Sequence, residues 1–439
     1  MKYSLVLLLC ISLGAPGLAQ NIAKNTDTFL NTKPFVDWAK DHAFLLQNSD
    51  SANGNADLRP FKEMIGNAQV VALGEPAHGF HEPLAFRNRL FRFLAENYGF
   101  TTIVLEADLA ESRSAAEFVA GGRGTAKDAA AKLSIAGASP ENIELLEWMR
   151  RYNSDPVHTR KLRFYGMDME LIGFPNDTTP SHAALNEAIT YLKKVDAKEE
   201  AKIMAALTPF MNRLSVANYP KLTLEEQNTL TTTIDDLISL FTRERINFIR
   251  GSSEESYEWA YHNALVAQQT NHLVKATPPD QPGKIPPEAW RAVNARDSAM
   301  ANNVMWVLLH RADGGKVFVY AHNSHVKNEV TLGGVWDAFA QPPNSMGKYL
   351  RSMLGNNLFI IGTSYAPSLN TAKPGSLDKA LLQVDKPRFI LGLKSAAHNP
   401  FVASWLAMQR PMEANTVSYQ LIHVRQAFDA ILFINKMRQ

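Results

Sequence analysis

The sequence predicts an α/β fold with a mostly parallel central sheet layered by helices, and with a helical insertion that covers the active edge of the sheet. Two observations carry this prediction. Between residues 68 and 170, short apolar runs alternate with helix-forming segments, which is typical of parallel strands joined by crossover helices. From residue 181 to residue 277 the chain shows long helix-forming stretches and no convincing strand.

Short apolar, often β-branched runs define the strands, and longer runs with apolar residues at helical spacing define the helices. The predicted strands are Gln69–Leu73, Thr101–Leu105, Leu162–Met167, Val317–Ala321, Leu358–Thr363, Phe389–Leu391 and Ala430–Ile434. The predicted helices are Pro34–Gln47, Glu82–Tyr98, Leu109–Ala120, Asn142–Tyr152, Ala197–Leu214 (kinked at Pro209), Leu224–Arg245, Glu254–Lys275 and Trp290–Arg311.

The start of the chain predicts a signal peptide over residues 1–20. Lys2 provides a positive charge, residues 5–11 form an apolar core, and small residues precede the expected cleavage site. The apolar stretch is short for a bilayer span, so we expect no stable membrane insertion after cleavage. The sequence therefore predicts a periplasmic or secreted protein.

The composition of the remaining chain predicts a catalytic core in two parts with an insertion between them. It also argues against cysteine chemistry and against a nucleic-acid partner. Residues 21–180 and 288–439 form the two parts of the predicted catalytic core, and residues 181–287 form the helical insertion with a proline-rich linker. The only cysteine, Cys10, leaves with the signal, which excludes a disulfide or a thiolate nucleophile. A net charge of +2 without a basic block argues against a nucleic-acid partner.

Polar side chains, most of them ionisable, follow two of the predicted strands closely. Glu75 and His78 come after the first strand, and His322, Asn323 and His325 come after the strand that begins at Val317. Since ligands bind at the carboxyl ends of strands in open α/β sheets, we expect one shared site. A carboxylate beside an imidazole can fix its tautomer and raise its basicity, as a general base requires.

Other residues complete the candidate site. Asn323 is a neutral donor that can bind a substrate oxygen or an oxyanion. Arg87 lies on the apolar stripe of its helix, so either it is buried against Glu75 or Glu106, or it extends to the rim of the stripe. His81, the next histidine along the chain and expected in the first turn of the following helix, has a weaker claim to a catalytic role.

Several known kinds of site are absent from the sequence or only partly matched. The chain has no Gly-x-Ser-x-Gly nucleophile motif and no phosphate-binding loop, and the glycines of residues 121–124 predict a flexible turn. Its histidines and carboxylates do not follow a recognised zinc spacing, although residue types alone leave a divalent ion possible. A directly activated water is the simplest nucleophile.

The sequence resembles the erythromycin esterase family, whose members hydrolyse the macrolactone ester of macrolide antibiotics and thereby confer resistance. The matching segments occur in the family's order across nearly all of the mature chain. They are Val70–Gly79, Phe86–Leu94, Gly99–Thr102, Leu105–Asp108, Tyr165–Asp168, Arg296–Val304, Ala321–Val326 and Ser345–Gly347.

This resemblance implies a role for each candidate residue. His78 corresponds to the general base that deprotonates water, and Glu75 orients it or shares its charge. The positions of Arg87 and Glu106 correspond to the family's other essential charged residues, and His322 and His325 to its second histidine pair. The resemblance also implies a hydrolase that needs neither metal nor cofactor.

We therefore expect an exported hydrolase that cleaves a small-molecule carboxylic ester or lactone, with Arg87 and the His322/His325 pair stabilising the negative charge on the carbonyl oxygen. Two alternatives remain. One is a metal-dependent hydrolase or peptidase that uses the same Glu/His cluster. The other is a non-catalytic exported binding protein for a ligand such as haem or a polysaccharide.

Overall fold

The computed structural model describes residues 30–47, 55–133, 136–169, 182–279, 281, 284–311, 313–366, 372–415 and 418–439. The predicted signal peptide lies outside these residues. Ten strands are present among them: β1 Phe44–Leu45, β2 Val70–Glu75, β3 Phe100–Asp108, β4 Arg163–Asp168, β5 Lys316–His322, β6 Leu358–Tyr365, β7 Arg388–Gly392, β8 Gln409–Ala414, β9 Ser418–His423 and β10 Ala430–Ile434.

The helices surround the strands in chain order. They are α1 Lys33–His42, α2 Phe61–Ile65, α3 His81–Tyr98, α4 Arg113–Val119, α5 Ala126–Ala130, α6 Pro140–Ser154, α7 Ala183–Val195, α8 Ala197–Leu207, α9 Leu224–Arg250, α10 Glu254–Ala276, α11 Trp290–Leu309, α12 Asn323–Val326, α13 Met346–Leu354, α14 Leu377–Leu382, α15 Pro400–Ala407 and α16 Val424–Ala427. Every helix predicted from the sequence is present, with shifted ends.

Eight strands form one sheet in the order β1-β7-β10-β6-β2-β5-β3-β4. The six strands from β10 to β4 pair in parallel, whereas β7 pairs antiparallel with both β10 and β1 at the edge. The predicted mostly parallel α/β fold is therefore confirmed. The parallel strands bring their carboxyl ends, and the polar residues that follow them, to one edge.

Both faces of the sheet are buried by helices. Along β2, Val70 and Ala72 belong to the core on one face, whereas Val71 and Leu73 belong to the core on the other. This division follows from the alternation of side chains along a strand. Strands that are covered on both faces read as continuous apolar runs, which is why their positions were predictable.

The helices α7 to α10 form the predicted helical insertion. Their apolar side chains build a third core cluster that also contains Leu109, Ala110 and Met169, which follow the carboxyl ends of β3 and β4. Asn303 of α11 donates a hydrogen bond to the backbone oxygen of Met167, also at this edge (2.9 Å). The insertion therefore packs against the edge of the sheet that carries the polar residues.

Two elements differ from the sequence prediction. The predicted helix Pro34–Gln47 ends at His42, and Phe44–Leu45 instead adds an antiparallel edge strand to the sheet. The predicted kink at Pro209 is the end of a helix: α8 stops at Leu207, two residues before the proline, which has no backbone N–H with which to continue the helix. The β8–β9 hairpin was not predicted, because its mixed polar and apolar residues give no continuous apolar run.

Within the described part of the chain, no helix is both long enough and apolar enough to span a membrane.

Candidate active site

The sheet order places side by side the ends of three strands that carry candidate site residues. Strand β5 lies between β2 and β3, and Glu75 is paired in register with His322. The pairing of β5 with β3 ends at Tyr320 and Leu105, one residue before Glu106. Glu75, His322 and Glu106 therefore meet at one edge, although they are distant in sequence.

Glu75 and His78 form a hydrogen-bonded pair. The Nδ1 atom of His78 lies 2.6 Å from Oε1 of Glu75, and the other carboxylate oxygen accepts a 2.6 Å hydrogen bond from the hydroxyl of Tyr320. Because Glu75 can only accept when ionised, His78 carries its proton on Nδ1. Its Nε2 has no partner among the described residues and is left as the basic nitrogen.

The environment of His78 makes the ring more basic than an isolated histidine. Burial lowers its pKa, but the hydrogen bond to Glu75 and the negative charge of Glu106 outweigh this effect, so the pKa is raised from its ordinary value. The side chain is 37% exposed, so a small molecule can reach the ring. His78 thus combines an accessible nitrogen with the raised basicity that suits a general base.

Glu106 reaches the site through an irregularity in β3. The register of β3 against β4 shifts between Leu105 and Asp108, and Glu106 lies within this shift. Gly166 of β4 permits the close approach, because a Cβ atom there would lie 2.4 Å from the carbonyl oxygens of Ala107 and Asp108. The Oε2 atom of Glu106 then accepts a 2.7 Å hydrogen bond from the backbone N–H of His322.

The cation that binds Glu106 is Arg296, from the first half of α11. Its Nη2 donates to Glu106 Oε1 at 3.0 Å and to Asp168 Oδ2 at 2.6 Å, and its Nε donates to Asp168 at 3.0 Å. Asp168 is fully buried and Glu106 nearly so. Two carboxylates and one guanidinium therefore form a dense charge cluster beside His78, and the guanidinium remains 21% exposed.

His325 is a second cation in this cluster. Its Nδ1 lies 2.9 Å from Asp297 and its Nε2 lies 3.3 Å from Glu106. Burial lowers the pKa of His325, but the charges of Asp297 and Glu106 outweigh it and raise the pKa to about 10. Burial would in turn raise the pKa of Glu106, but the charge and hydrogen bond of His325, followed by the charge of Arg296, hold it well below its usual range.

His322 differs from His325 in both charge and availability. Its Nδ1 accepts hydrogen bonds from the hydroxyl and the backbone N–H of Ser324, and its Nε2 donates to the carbonyl of Pro76 at 3.0 Å. Burial, assisted by the neighbouring charge of His78, lowers the pKa of His322 to about 3. The ring is therefore neutral, caps the short helix α12, and lies 5.2 Å from the ring of His78.

The prediction that a buried Arg87 pairs with Glu75 or Glu106 was wrong. Arg87 is buried, as one of the two interpretations required, but its guanidinium donates to the side-chain oxygens of Asn88 and Asn142. No carboxylate in the described part of the chain lies within ion-pair distance of it, and its Cζ lies 5.1 Å from the ring centroid of Tyr320. The ring of Tyr320 thus occupies the place in which a carboxylate was expected.

Asn323 also differs from its predicted role. Its side chain is fully buried, donates to the carbonyl of Thr363 at 2.7 Å, and accepts from the N–H of Thr363 at 3.0 Å. Gly74 allows this approach, since a Cβ atom there would lie 2.2 Å from Asn323 Oδ1. The amide therefore ties the residue that follows β5 to β6, and both its oxygen and its nitrogen are already bonded to Thr363.

His81, the weaker candidate, lies at the first turn of α3. Its Nδ1 lies 2.5 Å from Oε1 of Glu141, a residue of α6, and not in the Glu75–His78 pair. No group of three or more histidine, cysteine or acidic side chains among the described residues is arranged to hold a metal ion.

The sequence reasoning missed four residues of the site: Arg296, Asp297, Asp168 and Tyr320. The signal was present for the first two, because Arg296 and Asp297 are adjacent charges in a helix whose following residues are small and apolar. Asp168 directly follows the predicted strand Leu162–Met167 but was given no role. Tyr320 lies within the predicted apolar strand Val317–Ala321, where only its hydroxyl distinguishes it from a core residue.

Comparison with known proteins places this fold and site in a family. The family model described as erythromycin esterase matches residues 95–437, which is most of the chain, and the match includes Glu106, His322 and His325. The chain belongs to the erythromycin esterase family. Membership of this family supports a hydrolase.

Individual relatives agree with this assignment. The chain is 26% identical over 348 residues to erythromycin esterase type II of Escherichia coli, covering 76% of this chain and 77% of the relative. It is 22% identical over 422 residues to YbfO of Bacillus subtilis (strain 168), which is named as a hydrolase, with 90% of both chains covered.

Solved structures share the same fold. A crystal structure of a Bacillus cereus protein superposes with a TM-score of 0.77 at 26% identity, covering 93% of this chain and 98% of the other. A mutant of the erythromycin esterase EreC in its open conformation superposes with a TM-score of 0.66 at 16% identity, covering 90% and 97%.

Proposed function

We propose that this protein hydrolyses a carboxylic ester or a macrolactone with a water molecule that His78 activates, without a covalent intermediate. The observation that carries the proposal is the 2.6 Å contact between His78 Nδ1 and Glu75, which leaves Nε2 accessible beside the cations Arg296 and His325. Family membership supports hydrolysis, and the name of the Escherichia coli relative supports an ester as the substrate.

The reaction begins with proton transfer from water to His78 Nε2. The water oxygen attacks the carbonyl carbon and forms a tetrahedral intermediate, while the carbonyl electrons move to its oxygen. When the intermediate collapses, the bond to the leaving alcohol breaks and the His78 imidazolium returns the proton to that oxygen. Glu75 stays ionised, keeps the ring in the Nδ1–H tautomer and stabilises the imidazolium.

The negative charge on the carbonyl oxygen requires donors that are already in place. Arg296 is suited to this task because it is cationic and 21% exposed, and His325 adds a second positive charge beside it although Asp297 and Glu106 already pair with its ring nitrogens. This assignment replaces the one expected for Arg87, which is buried behind Tyr320, and for His322, whose ring is neutral and carries no positive charge to offer.

A macrolide is the first substrate class to test, since the Escherichia coli relative is named erythromycin esterase type II. Turnover of macrolides would link the protein to antibiotic resistance. We further propose that the protein acts in the periplasm or outside the cell, because a positive charge and an apolar run precede small residues within residues 1–20. Cell fractionation, followed by measurement of the molecular mass of the protein found in each fraction, tests this location.

The test of the function is a panel of macrolides, simple lactones and linear esters incubated with the purified protein. Mass spectrometry should find products heavier by one water, with no turnover by His78→Ala. Chelator-treated protein should keep full activity, whereas activity lost on treatment and restored by a divalent ion would favour the metal-dependent alternative. Folded protein that hydrolyses nothing across the panel would remove the proposal.

A further inference from the structure

Tyr320 connects the candidate catalytic pair to a buried cation. Its hydroxyl donates to Glu75 Oε2 at 2.6 Å, while Glu75 Oε1 bonds to His78. On the other side, the Cζ atom of Arg87 lies 5.1 Å from the centroid of the tyrosine ring. Arg87 is itself held by the side-chain amides of Asn88 and Asn142. The order of contacts is therefore Arg87, Tyr320, Glu75, His78.

We propose that Tyr320 and Arg87 are positioning residues that hold Glu75 as an oriented anion and thereby set the proton affinity of His78. The inference rests on the proposed function, because it assigns the two residues to the base of that reaction. It also gives Arg87 a task that requires neither contact with the substrate nor an ion pair.

The hydroxyl of Tyr320 remains a donor at every pH at which the protein is expected to work. Burial and the negative charge of Glu75 raise the pKa of Tyr320 well above its ordinary value, despite the opposing charge of Arg87. A cation over an aromatic ring is attracted to its face and withdraws electron density, which makes the phenol a better donor. Glu75 thus has a permanent donor on one oxygen and His78 on the other.

This donor affects the two protonation states of His78 unequally. When His78 is neutral, the charge of Glu75 depends on Tyr320 for its stabilisation. When His78 is protonated, the imidazolium itself neutralises Glu75, so the tyrosine hydrogen bond contributes less. Removal of the hydroxyl therefore destabilises the neutral state more and should raise the pKa of His78.

Other charged groups around the ring set the background for this effect. Glu106 from β3 and His325 from α12 act on the charge of His78, and the neutral ring of His322 from β5 lies beside it. Arg296 from α11 acts through Glu106. None of these groups contacts Tyr320 through a hydrogen bond in the described part of the chain, so Tyr320→Phe removes no hydrogen bond from any of them.

Tyr257 provides a matched control. Its hydroxyl also donates a buried hydrogen bond, to the carbonyl of Phe241 at 3.0 Å, and the Cζ of Arg245 lies 5.5 Å from its ring centroid. It lies in the helical insertion, away from His78. Tyr257→Phe therefore loses the same group in a comparable setting without touching Glu75.

The experiment is an NMR titration of His78 in the full chain with isotope-labelled histidine rings, assigned with His78→Gln. We expect the midpoint for His78 to move to higher pH in Tyr320→Phe and to stay at the parent value in Tyr257→Phe. In a hydrolysis assay, the acid limb of the rate profile should move the same way in Tyr320→Phe, and kcat should fall by roughly ten- to hundredfold, the range expected for losing a hydrogen bond to a charged group. An unchanged or lower midpoint in Tyr320→Phe would overturn the proposal.

Arg87 supplies a second, independent variant. Arg87→Met removes the positive charge and should move the His78 midpoint to higher pH, whereas Arg87→Lys, which retains the charge, should restore most of the parent value. Because the titration needs no substrate, the two proposals can fail separately. Parent protein that hydrolyses nothing but shows these shifts removes only the proposed function, and active parent without the shifts removes only the positioning role.

Discussion

Arg296 binds Asp168 through two nitrogens, with Nε at 3.0 Å and Nη2 at 2.6 Å from the same carboxylate oxygen. Asp168 is fully buried, and its other close charges include Glu106, which repels it. Burial raises the pKa of Asp168 even though Arg296 opposes this effect. The guanidinium is therefore the charge that compensates buried Asp168, and together with His325 it compensates Glu106, beside the Glu75–His78 pair.

Arg296→Met should strongly destabilise the protein, because it leaves buried negative charge without its cation. Removing one partner of such a pair typically costs about 3–5 kcal/mol of the free energy of unfolding, to be measured by chemical denaturation. Adding Asp168→Asn should recover part of the loss. As a control, Arg245→Met removes an exposed ion pair with Glu254 and Glu258 and should change stability far less. Equal losses in both arginine variants would contradict this account.

His78→Gln should reduce hydrolysis by roughly 100- to 10,000-fold, the range that general base catalysis contributes. The fold should be retained, because the side chain is partly exposed and bonds only to Glu75 among the described residues. His81→Gln is the matched control, since His81 pairs instead with Glu141. The measurement is the steady-state rate of hydrolysis by both variants. Comparable activity in the two would remove His78 as the base.

The rate should depend on pH through His78. Because a base must be unprotonated, kcat/KM should rise with pH along an acid limb, and the raised pKa of His78 places that limb above the ordinary histidine value. In Glu75→Gln the limb should move to lower pH, since the hydrogen bond and the charge that raise this pKa are lost. The profile of kcat/KM against pH is the measurement. A limb that stays in place in Glu75→Gln would show that another group is titrating.

The contribution of His325 to the free energy of unfolding should decrease as the pH rises. An ion-paired carboxylate has the opposite effect, because its contribution decreases as the pH falls. The fold raises the pKa of His325 from 6.5 to about 10, so its protonated form stabilises the protein. This contribution is complete below about pH 6.5 and is lost as the pH rises towards 10. The difference in Tm between parent and His325→Gln should therefore shrink across that range, as thermal denaturation can measure. A difference that stays constant would contradict the ionised state assigned to His325.

The sequence predicted the sheet, and the polar residues that lie together at three of its strand ends, for a physical reason. Strands that are covered on both faces must be continuously apolar, so their ends are sharp, and Glu75, Glu106 and His322 stand at those ends. Register then follows from parallel pairing, which places residues that end neighbouring strands together. Polar residues at the ends of such strands can therefore be recognised from the sequence alone.

The partners of the buried cations could not be predicted in the same way. The position of Arg87 on an apolar stripe predicted burial correctly but could not show that Tyr320, and not a carboxylate, faces it. Arg296 approaches Glu106 from a helix 190 residues further along the chain, and that approach depends on how α11 packs. Asn323 was misassigned because its use by Thr363 depends on the same close packing at Gly74.

The most direct test of direct attack by water is a single turnover in ¹⁸O-labelled water, with enzyme in excess over an ester substrate that the panel identifies. If His78 activates water, the label enters the carboxylic acid product in one turnover, and mass spectrometry finds neither label nor acyl group on the protein. Label in a carboxylate of Glu75 or Glu106, or a trapped acyl-enzyme, would contradict the account, because water would then have attacked a covalent intermediate.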